Sequence, residues 1–249
     1  MSMGASVSVK VLTARIGYEF TLDDLRLSML CTNAIMQQIA DAFQFRMFGV
    51  ATPQATFGPV PNSLPAGAVF QLGTWVIPDN SQIVPIRFLN IELQRIVIDA
   101  AGPSSVLDGI YNRLREAVSP ITAPDGSPII GEPSHTLHFS ELSITLPFGL
   151  DSILTPSVRT LLTRYLPNAE TSDRVTLTPS LEVRGHSDRE PFSGALAAGD
   201  GYTITLSPRA SISPDQHVVY SGAPLETEQH IQFINELVAL LSPTVPKEG

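Results

Sequence analysis

Two stretches of this chain run through the same series of features: RIVIDAAGPSSVLDGIYNRLREAVSP at 95–120 and HVVYSGAPLETEQHIQFINELVALLSP at 217–243. Each is a short apolar strand, a small-residue turn containing proline, a capped amphipathic helix and a closing Ser-Pro. A strand that turns directly into such a helix must lay the helix back over a sheet, because neither apolar face is buried otherwise. Meeting such a unit twice is a signature of duplicated architecture.

The upstream segments extend the likeness. Val7, Val9 and Val11 alternate like a half-buried strand. Thr21 and Asp24 form a capping box. Leu25, Met29, Met36, Ile39 and Phe43 then trace one apolar stripe, with a helix expected over about 33–44. Residues 52–67 hold Pro53, Pro59, Pro61 and Pro65 and read as a long loop. Phe70, Leu72 and Val76 share one strand face, with Trp75 opposite them. Val84, Ile86 and Phe88 share another face, and Ile91 and Leu93 reverse the phase, which predicts a bulge near Asn90. Pro103 and Ser105 open a helix, with Asp108 closing a capping box and Val106, Ile110, Leu114 and Val118 on the buried side.

In the second half, Leu137 and Phe139, then Leu142, Ile144 and Leu146, predict a long bent strand with a phase flip near Glu141. Thr155 and Pro156 start a helix with Val158, Leu161, Leu162 and Tyr165 on its apolar face. Strands follow around Val175–Val183, Tyr202–Leu206 and Val218–Tyr220. Thr227 caps a last helix that buries Ile231, Ile234, Val238 and Leu241. The pattern predicts an α+β protein of two similar β-α-β-β-β-α halves, 1–124 and 125–243, with a flexible tail at 244–249. Amphipathic helices back antiparallel sheets, and the pattern leaves open whether these join into one continuous curved sheet.

Composition narrows the functional classes. A hydrophobic fraction of 43% and a charged fraction of 16% describe a folded chain. A net charge of −9 argues against non-specific binding to nucleic acid or anionic lipid, which needs a basic face. Lysine occurs only at Lys10 and Lys247, and the arginines are scattered. The lone cysteine, Cys31, excludes an intramolecular disulfide. No stretch approaches the roughly 20 apolar residues of a membrane helix, and residues 1–20 hold no secretory signal. The expectation is a soluble cytoplasmic protein.

Local chemistry is sparse. His135, His138 and Glu141 suggest a metal cluster, but residues three apart in a strand face opposite sides. His186, Asp188 and Glu190 are two apart and would share a strand face, a spacing fit for carboxylate-assisted general-base work. Gly185 and Pro191 around them make a solvated turn the simpler reading. Asp215 reads as a turn cap. Trp75 and Phe57 are candidates for contact with a ligand or partner. No nucleophile elbow, phosphate loop or dinucleotide fingerprint is present, and no cofactor or metal is expected. The sequence therefore favours a non-enzymatic binding or assembly protein acting through protein–protein contact, including self-association. The alternative is a binding protein or enzyme for a small apolar ligand held between sheet and helix.

Overall fold

The computed structural model describes residues 7–51, 66–78, 81–154, 179–184, 203–209, 212–213 and 216–241. The strands are β1 (Ser8–Glu19), β2 (Met47–Ala51), β3 (Gly67–Val76), β4 (Ile83–Glu92), β5 (Arg95–Ala101), β6 (His135–Thr145), β7 (Leu181–Arg184), β8 (Thr203–Pro208) and β9 (Val218–Ala223). The helices are α1 (Leu27–Leu30), α2 (Asn33–Phe43), α3 (Ser104–Val118) and α4 (Thr227–Leu241). The nine described strands join one antiparallel sheet in the order β2-β3-β4-β5-β1-β6-β9-β8-β7. No described helix is long and apolar enough to cross a membrane. Residues 52–65 of the expected loop at 52–67, the expected helix from Thr155 to Tyr165, strand residues Val175, Leu177 and Tyr202, turn cap Asp215 and tail 244–249 lie outside the described residues, while Gly67 opens β3 instead of closing the loop.

β1 is the centre of the sheet. Ala14 pairs with Ala100 of β5 on one side and Ser140 of β6 on the other. Cross-strand partners point to the same face. Ala14 belongs to the core under α3, and the Ser140 hydroxyl meets His230 of α4, so both helices lie on one face. Their inward stripes follow the 3.6-residue period: Leu107, Ile110, Tyr111, Leu114 and Val118 on α3, and His230, Ile234 and Val238 on α4. One apolar cluster gathers α2 and α3 over β1, β3, β4 and β5, and a second gathers α4 over β6, β8 and β9. Fully burying each of these Leu or Ile side chains contributes about 1.5–3 kcal/mol.

Several expectations are corrected here. The phase reversals occur where register breaks, not where the apolar pattern suggests. β6 is regular: His138, Ser140, Leu142 and Ile144 share the helix-bearing face, and the shift belongs to β1, where Leu12 is the extra residue between Val11 and Thr13. The bulge expected near Asn90 lies at Arg87, between the pairs Ile86–Ala100 and Phe88–Asp99. Phe88 therefore faces away from the helices, Leu89 and Ile91 face in, and Leu93 is an exposed turn residue. On β3, Leu72 adopts φ 57°, which breaks the alternation. Leu72 and Val76 are exposed, and Trp75 turns to the helix-bearing side, where it packs against the core. β2 has no counterpart in the expected element order, so the first half holds four strands after its helices.

The helix starts also differ. Thr21 donates to the Asp24 carboxylate, so neither side chain caps a backbone N–H, and the box closes a turn. Asp108 does not cap α3; it accepts a 2.8 Å bond from the Tyr18 hydroxyl. Thr227 is the first residue of α4 and its Oγ1 accepts the backbone N–H of Ser104, 2.9 Å away, capping α3 instead of its own helix.

Candidate functional site

Three features gather chemistry or exposed apolar surface. The first is a polar cluster on the sheet face that carries none of the described helices. Asp99, fully buried, stands in the apolar run IVIDAA of β5. Its carboxylate accepts from Arg15 Nε at 2.9 Å, and from Arg87 through Nε and, at 3.1 Å, Nη2. Arg87 Nη2 also donates to Thr13 Oγ1 at 3.0 Å, and that hydroxyl donates to Glu141 Oε2 at 2.6 Å. Glu141 Oε1 receives the Tyr220 hydroxyl at 2.9 Å. Burial and the Glu141 charge push the Tyr220 hydroxyl pKa up. Burial works against the Arg87 charge, but the bonds to Asp99 outweigh it and raise its pKa. Arg15 lies between Phe88 and Phe139, its guanidinium carbon 5.3 and 5.9 Å from the ring centres. The bulges at Leu12 and Arg87 bring these groups to one level of the sheet. Each carboxylate is answered by a guanidinium or hydroxyl within the cluster, so its chemistry is that of a clamp across β4, β5, β1, β6 and β9.

The second feature is a buried histidine. His230 of α4 places Nδ1 2.8 Å from Ser140 Oγ and Nε2 2.8 Å from Ser221 Oγ. The Ser221 hydroxyl donates to the Thr205 carbonyl at 2.9 Å. That uses its only proton, so Nε2 carries hydrogen and Nδ1 accepts from Ser140. Burial depresses the ring pKa to about 4, and the imidazole is neutral at pH 7. Full burial leaves the serine hydroxyls no access to a substrate. The trio fastens α4 to β6 and β9. The spacing of His230, Ile234 and Val238 was the sequence signal for this inward histidine; Asp99 carried a comparable one, as a lone charge among apolar strand residues.

The third feature is the sheet edge at β2. Met47, Phe48 and Val50 are 56, 40 and 41% exposed. Together with Gly49, Ala51, Val69 and Gln71 they line a shallow hollow of about 220 Å³. Phe48 stacks on Phe70, their ring centres 6.1 Å apart, on the helix-bearing side.

The residues singled out from sequence are dispersed. His186, Asp188, Glu190 and Phe57 lie outside the described residues. Trp75 is partly buried, and its indole tip lies over Gly109 of α3. His135 is exposed opposite Glu19, while His138 sits opposite Ile16 with Nε2 3.4 Å from Glu226. Glu141 lies on the other face, in the Asp99 cluster. Among the described residues no group of three His, Cys, Asp or Glu side chains is placed to hold a metal ion. Cys31 is half-buried and burial pushes its thiol pKa up, away from the reactive thiolate. The chain matches no model of a known protein family, and no curated protein matches it in sequence.

Proposed function

We propose that this chain is a non-enzymatic binding or assembly protein that works through protein–protein contact at the β2 edge of its sheet. The contrast between the two ends of the sheet carries this reading. β7, at one end, carries the exposed, charged Glu182, the kind of residue that discourages edge-to-edge pairing. β2, at the other end, reads MFGVA, without a charge, and exposes three large apolar side chains. Such an edge presents backbone donors and acceptors to an added strand and apolar flanks to its side chains. The alternative, a small apolar ligand between sheet and helices, has less support, because Ile39, Phe43, Phe70, Leu107 and Ile110 fill that space and are fully buried.

The same reading treats 1–124 and 125–243 as a duplicated unit joined at the β1–β6 seam into one continuous sheet. α3 and α4 are both 15 residues long and start 123 residues apart, at Ser104 and Thr227, which bond to each other. Ala100 and Ala223, also 123 apart, pair with Ala14 and Ser140, and Ala14 and Ser140 pair with one another. Counterparts that meet each other are what a two-fold axis through the seam requires.

The test is parallel affinity capture from host extract with the wild-type chain and Val50→Lys, which adds an edge charge. The expected result is a protein held by the wild type and released by the variant, with unchanged circular dichroism. Identical capture by both chains, with no association of the chain itself, overturns the reading.

A further inference from the structure

We infer that the occupant of the β2 edge is the β2 edge of a second copy of this chain, the two strands pairing antiparallel about Gly49. This rests on the edge-binding reading above and names its partner. The residue pattern of β2 is complementary to its own reverse. With Gly49 opposite Gly49 of the second copy, Met47 meets Ala51 and Phe48 meets Val50. Each pair sets a large side chain against a smaller one, and the Phe–Val pair is of the aromatic–β-branched kind that stabilises neighbouring strands. Phe48 already stacks on Phe70, so the Phe48 and Val50 pairs extend the helix-bearing apolar face, and Met47 and Ala51 extend the other.

A Cβ built on Gly49 meets no atom within 4 Å, so a side chain placed at the centre of the contact finds open space. No charge lies within β2 to oppose its copy. The pairing is isologous, using the same patch on both copies, so assembly closes at two. The charged, exposed Glu182 on β7 works against growth from the opposite edge. Five paired residues extend about 17 Å, a contact at or below the ~1,000 Å² expected of a stable interface. The dimer is therefore reversible and depends on concentration. Each copy carries a charge of −9, so added salt strengthens association by screening the repulsion.

Sedimentation velocity of the full chain tests this. A dimer fraction that rises with concentration and salt, and falls at least tenfold in affinity in Val50→Lys, is expected; Met47→Glu provides a second probe on the opposite face. Gly49→Cys in a Cys31→Ser background adds a geometric readout, since directly opposed Cβ atoms lie about 4.5–5.5 Å apart, close to disulfide range. This variant is expected to oxidise to a covalent dimer, while Leu240→Cys in the same background stays monomeric. A chain monomeric at every concentration overturns self-pairing. So does a dimer that is indifferent to both edge variants and that fails to cross-link through Gly49→Cys. If Val50→Lys then still releases a different captured protein, the edge-binding reading survives; if it releases none, both fall.

Discussion

Ser104 and Thr227 cap each other's helices. Ser104 N–H donates to Thr227 Oγ1 at 2.9 Å, Thr227 N–H donates to Ser104 Oγ at 3.0 Å, and the two hydroxyl oxygens are 3.0 Å apart. Both residues are buried, so water cannot replace either bond. Thr227→Val leaves the Ser104 N–H without an acceptor and is expected to cost about 1–3 kcal/mol. Ser104→Ala does the same to the Thr227 N–H. In a urea double-mutant cycle the two losses should be non-additive by at least about 0.5 kcal/mol; additive losses would show that the pair does not act as a unit.

His230 makes stability depend on pH in a defined window. Its folded pKa of about 4 lies below the ordinary 6.5, so the unfolded chain binds the extra proton first. The contribution is intact above about pH 6.5 and is lost as pH falls toward 4, reaching about 3 kcal/mol. Urea midpoints between pH 7 and pH 5 should fall more steeply for the wild type than for His230→Leu. Parallel slopes would remove His230 as the cause.

Asp99 is the carboxylate that Arg15 and Arg87 share. Asp99→Ala removes the carboxylate that Arg15 and Arg87 share, while Arg87, about half exposed, keeps water and Glu141 nearby, so the variant should destabilise by about 1–3 kcal/mol. Replacing all three as Asp99→Leu, Arg15→Met and Arg87→Met should recover most of that loss, because neither guanidinium is then left without its carboxylate. Thermal denaturation of the two variants decides it: a triple variant as weak as Asp99→Ala would mean that the pairing itself, not the uncompensated charge, supplies the stability.

Trp75 is the only tryptophan, and its fluorescence reports on the packing of β3 against α3. A Cβ at Gly109 would collide with the tip of the Trp75 ring. Gly109→Ala should therefore shift the emission to the red and alter the near-ultraviolet circular dichroism. This should occur although alanine favours the helix over glycine by about 1 kcal/mol. An unchanged spectrum would place the indole elsewhere.

Much of the secondary structure was legible because it depends on local periodicity. The stripes of Met36, Ile39 and Phe43, and of Ile110, Leu114 and Val118, placed α2 and α3 within a residue or two. The alternation of Val7, Val9 and Val11 marked the start of β1. The candidate sites were not legible in the same way. Asp99 and His230 each stood out only as a polar residue in apolar company, and their partners come from strands 9 to 90 positions away.

The sequence by itself determined that strands and amphipathic helices alternate and that the helices need a sheet to cover. Tertiary structure decided which face each side chain takes. Alternation assigns faces only while register is unbroken, and the extra residues at Leu12 and Arg87, with the left-handed Leu72, reverse it in ways that depend on the neighbouring strand. It also decided the caps, since Thr227 serves a helix 123 residues away. Whether a strand is central or marginal depends on the order of all nine described strands, so the apolar run Met47–Ala51 becomes an exposed edge only in the assembled sheet.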